Sequence, residues 1–191
     1  GIHAPHDPRI GIATHRVGEG DIVAIGDWRF DTLEIPGHTR SHIAFYTDRV
    51  GGGHDEGLLF CGDTLFSLGC GRLFEGTPAQ MLGSLDRLAA LPGDTRVCCT
   101  HEYTLANAAF ALRVVPDNPA LQERAAVVRS LRAASKPTLP STIDRETATN
   151  PFLRCDSPAV REAIAARLGR SPVDRIETFA ELRRWKDDFR S

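Results

Sequence analysis

Three short apolar runs in the sequence each lead into a side chain that binds metals. His38 follows residues 32–35, Asp63 follows residues 58–61, and His101 follows residues 97–99. Short apolar runs bounded by turn residues indicate buried strands, and a polar residue just past the strand end lies at the edge of the sheet. If the three edges meet, two imidazoles and one carboxylate come together, and zinc, iron and manganese accept such donors. The sequence therefore predicts a metal site at His38, Asp63 and His101. The alternative is that these are structural turn residues.

Length, charge and cysteine content restrict the class of protein. The 191 residues are enough for one large domain or two small ones. The 23 basic and 25 acidic residues nearly balance, so nothing indicates a nucleic-acid partner. No apolar stretch approaches the roughly 18–20 residues that a membrane span needs, and we expect no membrane partner. Five cysteines are a poor disulfide framework and predict reduced thiols in a cytoplasmic protein.

The pattern of apolar residues changes near residue 104. Before it, short apolar runs predict strands over residues 10–17, 22–25, 28–35, 42–47, 58–61 and 96–99, and one helix begins at Thr77 and Pro78. After it, helical spacing predominates, an irregular stretch covers residues 136–151, and two helices are predicted over residues 158–168 and 175–189. Strands followed by helices predict an α+β fold with one domain over residues 1–104 and a helical domain over residues 105–191.

Four motifs in this order resemble one enzyme family. They are Pro36-Gly37-His38-Thr39, residues 60–66 (FCGDTLF), residues 69–76 (GCGRLFEG) and residues 100–104 (THEYT). Together with residues 182–189 (LRRWKDDF), they closely resemble glyoxalase II, or hydroxyacylglutathione hydrolase, a branch of the metallo-β-lactamase superfamily. The resemblance covers the whole chain. It implies a partial metallo-β-lactamase-like αββα sandwich followed by a C-terminal helical domain that binds glutathione.

The resemblance also implies roles for the three predicted ligands. In that family His38 would bind one divalent metal, His101 a second, and the catalytic Asp63 both. The expected metal is zinc, with iron or manganese as alternatives. The implied reaction is hydrolysis of the thioester of S-(2-hydroxyacyl)glutathione, such as S-D-lactoylglutathione, to a 2-hydroxy acid (D-lactate) and glutathione. This reaction belongs to methylglyoxal detoxification, and we expect the complete enzyme to be a monomer.

One family motif is not found in the sequence. The family carries further metal ligands in a His-x-His-x-Asp-His segment upstream of the position of His38, and these 191 residues contain no such segment. Residues 1–7 resemble the stretch just after it, and the chain begins with Gly1 rather than Met. We therefore expect a truncated chain that binds metal weakly and is inactive by itself.

Substrate contacts are expected in two places. Glutathione has two carboxylates, so its pocket needs fixed cations. Arg183 and Lys186 are three residues apart on a predicted helix and share a face. By themselves they would be a solvated helix face, but the resemblance places them at a carboxylate clamp. Arg72 and Tyr103 resemble further substrate contacts. Phe74 stands where many members of the family have Tyr, so that contact lacks a hydroxyl.

Two other functions remain open from the sequence. One is a persulfide dioxygenase-like enzyme with a single iron, which shares the Gly-Cys-Gly-Arg loop but generally lacks a long helical tail with Arg-x-x-Lys. The other is a non-catalytic remnant, which would contain the same residues. His42, four residues after His38, is expected to pack or hydrogen-bond beside the site rather than to bind metal. Asn107 is a weaker candidate for a substrate contact.

Overall fold

The structure is a computed structural model that describes residues 1–48 and 56–190. Its strands are β1 (His3–Ala4), β2 (His15–Arg16), β3 (Ile22–Ile25), β4 (Trp28–Glu34), β5 (Ile43–Thr47), β6 (Leu58–Phe60), β7 (Leu65–Phe66), β8 (Gly69–Cys70), β9 (Arg96–Cys98) and β10 (Ser141–Thr142). Its helices are α1 (Pro78–Ala89), α2 (Thr104–Val114), α3 (Pro119–Ala133), α4 (Ile143–Thr149), α5 (Pro158–Leu168) and α6 (Arg175–Asp188), with a short 3₁₀ helix at Pro151–Leu153. The α+β class predicted from the sequence is confirmed.

The topology of the main sheet brings the ends of three strands to one edge. The strand order is β10-β9-β6-β5-β4-β3. β6 pairs with β9 in parallel, whereas β5 is antiparallel to both β4 and β6. β4, β6 and β9 therefore run in the same direction, and their C-terminal ends lie at the same edge. Because the three predicted ligands follow these strands, the sheet carries them towards one place.

Helix α1 covers one face of this sheet, and its ends are defined by local sequence. Thr77 accepts a hydrogen bond from the Gln80 amide at 3.2 Å, while the Gln80 side chain accepts one from the Thr77 amide at 2.9 Å. This capping box satisfies two amides that the first helical turn leaves unpaired. Residues spaced three and four apart form the buried face of the helix, namely Met81, Leu82, Leu85 and Leu88. They belong to the same core as the inward residues of the sheet, which include Ala44, Leu59 and Val97.

The helices after residue 104 share that core with the sheet. Phe110, Phe152 and Phe179 are fully buried and belong to the same cluster as the sheet residues. Strand β10, from this second half of the chain, pairs with β9 at the edge of the main sheet. The boundary predicted between residues 104 and 105 stays a prediction, because residues from both halves of the chain form the main sheet and the core.

Two details of the predicted secondary structure are wrong. The strand predicted over residues 10–17 is present only at His15–Arg16, because the Arg16 guanidinium donates to the carbonyls of Pro5, Asp7 and Ile10 and folds the segment around itself. The stretch predicted to be irregular contains β10 and α4, whose first turn is capped by the hydroxyl of Thr142. Among the residues that the structure describes, no helix is long and apolar enough to cross a membrane.

Candidate active site

The three predicted ligands meet at the edge of the sheet. The two oxygens of Asp63 face different imidazoles. Oδ2 lies 3.6 Å from Nε2 of His38, and Oδ1 lies 3.4 Å from Nε2 of His101. His38 is mostly buried, whereas His101 is about half exposed. The sequence prediction that these side chains converge is therefore confirmed by the geometry.

Backbone hydrogen bonds orient both His38 and Asp63. Nδ1 of His38 lies 2.9 Å from the carbonyl oxygen of Arg72, and because a carbonyl only accepts, Nδ1 must carry the proton. Nε2 of His38 then keeps its lone pair on the side of Asp63, as metal-binding histidines require. The Asp63 amide donates to Nε2 of His42 at 3.1 Å. The hydroxyl of Thr100 contacts Oδ1 of Asp63 and the carbonyl of Gly62.

His42 supports the site without facing the carboxylate. Its ring is mostly buried, and burial, followed by electrostatic repulsion from the neighbouring His38 when that ring is protonated, lowers the pKa of His42. The imidazole therefore stays neutral and can accept the Asp63 amide hydrogen at neutral pH. The ring packs edge-on against that of His38, with centroids 5.6 Å apart. The prediction that His42 packs or hydrogen-bonds beside the site is confirmed.

The donor set fits divalent metals in part. Both nitrogen–oxygen separations exceed a hydrogen bond. Neighbouring corners of a tetrahedron lie about 3.3–3.4 Å apart for ligands about 2.0–2.1 Å from a metal. The His101–Asp63 separation of 3.4 Å matches this spacing, and the His38–Asp63 separation of 3.6 Å is slightly longer. Asp63 offers one oxygen beside each imidazole, so each of two ions would have one nitrogen and one oxygen. Within residues 1–48 and 56–190, no three His, Cys, Asp or Glu side chains are grouped to hold one ion. The described residues would therefore supply only part of the coordination shell of each ion.

Two glycines are required by the close packing around Asp63. A Cβ on Gly71 would lie 1.9 Å from the carbonyl oxygen of Asp63, which no relaxation of a side chain can relieve. Gly62 has a φ of +53°, and a Cβ there would lie 2.4 Å from Nε2 of His42. In the Gly-Asp and Cys-Gly-Arg motifs, the glycine therefore lets the backbone pack closely against Asp63 or His42, where a side chain would not fit.

A cavity of about 470 Å³ joins the three predicted metal ligands to the C-terminal helix. Its lining includes His38, Asp63 and His101, together with Arg183 and Lys186 of α6. The two residues of α6 lie more than 80 positions after the predicted ligands in the sequence, and the structure brings both groups to one cavity. This volume suits a ligand of the size of a tripeptide conjugate.

Arg183 and Lys186 differ in how they are held. Arg183 is 5% exposed, and its guanidinium donates to the carbonyl of Cys70 at 2.8 Å and to Asp187 at 3.0 Å. Lys186 Nζ lies over the rings of Phe110 and Phe189, at 5.5 and 5.8 Å from their centroids. Burial, followed by the nearby charge of Arg183, lowers the pKa of Lys186. In the described part of the chain, no carboxylate forms an ion pair with Lys186, since Asp187 pairs with Arg183 and Arg72.

The remaining predicted substrate contacts lie around the imidazoles. Tyr103 stacks on His101 with centroids 4.8 Å apart, and Phe74 lies against His38 at the same centroid distance. Both rings are at least half exposed, and both line the cavity. The Arg72 side chain is mostly exposed and lies 3.5 Å from Asp187. The structure thus brings all five predicted contact residues to the cavity, while their roles in binding stay predictions.

Sequence reasoning missed residues that support the site from behind. Phe66 packs edge-on against Tyr103, with centroids 5.3 Å apart. The hydroxyl of Thr100 contacts Asp63. Both residues lie within the motifs at residues 60–66 and 100–104, but spacing alone does not indicate which residues of a motif face the site.

Comparisons with known proteins cover nearly the whole chain. The family described as hydroxyacylglutathione hydrolase C-terminus matches residues 102–189, and the metallo-beta-lactamase superfamily matches residues 5–101. A hydroxyacylglutathione hydrolase of Xylella fastidiosa strain 9a5c is 56% identical over 188 residues, which are 98% of this chain and 70% of that protein. One of Xanthomonas euvesicatoria pv. vesicatoria strain 85-10 is 55% identical over 190 residues, 100% of this chain and 71% of that protein.

Solved structures show the same fold at lower identity. ETHE1 from Myxococcus xanthus has a TM-score of 0.51 and 24% identity, over 93% of this chain and 53% of that chain. A metallo-beta-lactamase from Staphylococcus aureus subsp. aureus COL has a TM-score of 0.51 and 22% identity, over 90% of this chain and 43% of that chain. The chain thus spans about half the length of each of these two proteins, and the likeness concerns the fold alone.

Proposed function

Because the chain belongs to the hydroxyacylglutathione hydrolase family of the metallo-β-lactamase superfamily, we propose that its cavity binds S-(2-hydroxyacyl)glutathione and that the site around Asp63 hydrolyses the thioester. S-D-lactoylglutathione is the substrate we propose within this class. The products are then a 2-hydroxy acid, D-lactate, and glutathione.

The observation that carries this proposal is the unpaired cation in the cavity. Lys186 lies in a partly desolvated place beside a second cation, Arg183, and the carboxylate nearest in sequence, Asp187, is paired with arginines. Keeping Lys186 charged in this place costs free energy. An anionic ligand that pairs with the ammonium group offsets that cost. S-(2-hydroxyacyl)glutathione has carboxylates at one part of the molecule and the thioester at another, and the cavity is lined by both Lys186 and Asp63.

The residues at the sheet edge then act on the thioester. Divalent metals, when bound, would lower the pKa of a water and polarise the thioester carbonyl. Asp63 directs one carboxylate oxygen towards each imidazole, and the Arg72 carbonyl fixes the ring of His38 with its Nε2 lone pair available. The rings of Phe74 and Tyr103 lie against the imidazoles and limit their rotation. We propose zinc as the metal, since nitrogen and oxygen donors at this spacing suit a tetrahedral ion.

Binding and hydrolysis can be tested separately with the 191-residue chain. Glutathione binding, measured by calorimetry without added metal, should be detectable because Lys186 and Arg183 are in place. Hydrolysis of S-D-lactoylglutathione should be absent for the chain by itself and should arise only at zinc concentrations well above that of the protein, because the chain supplies two donors per ion and binds metal weakly. The matched control is Asp63→Asn, which should retain glutathione binding and lose the zinc-dependent hydrolysis. A chain that binds no glutathione, or whose hydrolysis is the same in Asp63→Asn, contradicts the proposal.

A further inference from the structure

The hairpin formed by β7 and β8 is held by side chains from the helical half of the protein. The carbonyls of Phe66 and Gly69 accept from Nδ2 of Asn150, at 3.2 and 3.0 Å. The carbonyl of Ser67 accepts from Asn107 at 3.0 Å. Asn107 belongs to α2, and Asn150 directly follows α4. The conformation of this hairpin therefore depends on residues more than 35 positions further along the chain.

Glu146 of α4 lies at the centre of these contacts. Its side chain is fully buried, and its two oxygens accept from four donors. Oε2 accepts from the Leu68 amide at 2.7 Å and from Asn150 at 3.1 Å, and Oε1 accepts from the hydroxyl of Ser67 at 2.9 Å and from that of Ser141. A buried carboxylate is costly unless such donors satisfy it. Two other side chains donate to carbonyls of the hairpin, namely Cys61 to that of Leu65 at 3.2 Å and Arg183 to that of Cys70 at 2.8 Å.

The hairpin contains a strained residue that needs this support. Leu68 is fully buried and has a φ of +60°, in the left-handed region. For a non-glycine residue this conformation costs about 1–2 kcal/mol and persists when the surroundings hold it. The bond from the Leu68 amide to Glu146 provides such a restraint.

The two residues after the hairpin, Gly71 and Arg72, contact two of the three predicted metal ligands. The Gly71 amide donates to the Thr64 carbonyl at 3.1 Å, and Gly71 packs against the backbone of Asp63. The next carbonyl, that of Arg72, accepts from Nδ1 of His38. A shift of the hairpin would therefore move the group that decides which nitrogen of His38 carries the proton.

We propose that Glu146 is a positioning residue of the active site, which acts through the β7–β8 hairpin to hold the Arg72 carbonyl and thereby the tautomer of His38. The importance of that tautomer rests on the proposed function. The structural coupling itself does not, because it can be observed without metal or substrate.

We expect Glu146 to act through the geometry of its hydrogen bonds rather than through its charge. Glutamine has the same shape, and its amide oxygen can accept from Leu68 and Asn150 while its amide group donates to the hydroxyls of Ser67 and Ser141, which accept as well as donate. Glu146→Gln should therefore preserve the hairpin. Glu146→Leu has a similar volume but leaves the four donors without an acceptor, so the hairpin loses its anchor.

The test is ¹⁵N NMR of the histidine rings in the metal-free chain, with amide hydrogen exchange of the hairpin. In the wild type and in Glu146→Gln, Nδ1 of His38 should be protonated and Nε2 unprotonated. In Glu146→Leu, this signature should be lost in favour of a mixture of the two tautomers. Val128→Ala removes buried side-chain volume in α3, outside the hairpin. This variant controls for a general loss of stability and should keep the wild-type signature.

A milder variant covers the case in which Glu146→Leu does not fold. Ser67→Ala removes one hydrogen bond between Glu146 and the hairpin. Loss of a bond of ordinary strength should speed exchange of the Leu68 and Gly71 amides roughly fivefold, with no change in β5. The inference is overturned if a folded Glu146→Leu keeps the wild-type tautomer, or if exchange at Leu68 and Gly71 in Ser67→Ala equals that of the wild type. Failure of glutathione binding or hydrolysis with the tautomer coupling intact would instead count against the proposed function.

Discussion

Replacing Lys186 by methionine should separate its role in binding from any role in stability. Methionine keeps an unbranched apolar stem that can pack against Phe110 and Phe189, and it removes the ammonium. A charge-assisted hydrogen bond to a carboxylate contributes about 1.5–3 kcal/mol, so glutathione affinity should fall roughly 10- to 100-fold.

Stability should respond differently to the same change. The pKa of Lys186 is lowered in the folded protein, chiefly by burial, so the charged form is less favourable there than in the unfolded chain. Below the lowered folded-state pKa both states hold the proton, and the full cost is present. It disappears only as the pH rises towards the ordinary value of 10.5. Lys186→Met should therefore melt at the same temperature as the wild type or higher.

The assay is calorimetric titration of glutathione together with thermal unfolding of the same samples. The other lysine of the chain, Lys136, is exposed and outside the cavity, so Lys136→Met is the matched control and should leave affinity unchanged. The assignment of Lys186 is refuted if Lys186→Met binds glutathione as tightly as the wild type. It is also refuted if affinity falls only in proportion to a loss of folded protein.

Four further outcomes are expected. Arg183→Met should lower the free energy of unfolding by about 1.5–3 kcal/mol, measured by urea denaturation, because the carbonyl of Cys70 loses a charged donor; unchanged stability would show that this contact contributes little. Gly71→Ala should unfold at a lower temperature and lose zinc-dependent hydrolysis, since its Cβ meets the Asp63 carbonyl, and wild-type behaviour would contradict this packing. Asp63→Asn should weaken zinc binding in equilibrium dialysis but leave glutathione affinity within twofold; equal zinc affinity would remove Asp63 from the metal site. Burial raises the pKa of Glu146 above its ordinary value of 4.5, so the folded state keeps this proton to higher pH than the unfolded chain. The wild type should lose stability relative to Glu146→Gln as the pH rises above that value, in denaturation curves from about pH 4 to about pH 8, and a constant difference would contradict the raised pKa.

The sequence predicted several strands and the helix α1 because their signals are local. Residues 22–25 and residues 58–61 are apolar runs bounded by turn residues, and Thr77 with Pro78 begins a helix, so each element is specified within a few positions. The convergence of His38, Asp63 and His101 was only a condition in the sequence analysis, because it depends on β4, β6 and β9 running in the same direction, which no local pattern specifies.

Other features depend on contacts between distant residues and left no local signal. The strand predicted over residues 10–17 does not form over its full length, because the Arg16 guanidinium donates hydrogen bonds to three backbone carbonyls. The alternation of apolar residues does not indicate these contacts. The sequence could not distinguish a buried Arg183 that contacts Cys70 from an arginine on a solvated helix face. Arg183 and Lys186 are three residues apart, and this spacing does not indicate which of the two side chains faces the core. The role of Glu146 is of the same kind, because its partners Ser67 and Leu68 lie almost 80 positions earlier in the chain.

The central claim is that one cavity holds the glutathione carboxylates at α6 and the thioester at Asp63. A crystal structure of the chain soaked with glutathione tests it most directly. We expect a glutathione carboxylate within about 3 Å of Nζ of Lys186 and the sulfur next to the Asp63 carboxylate and the imidazoles of His38 and His101. Glutathione bound outside this cavity, or bound in it with its carboxylates away from Lys186, would contradict the account.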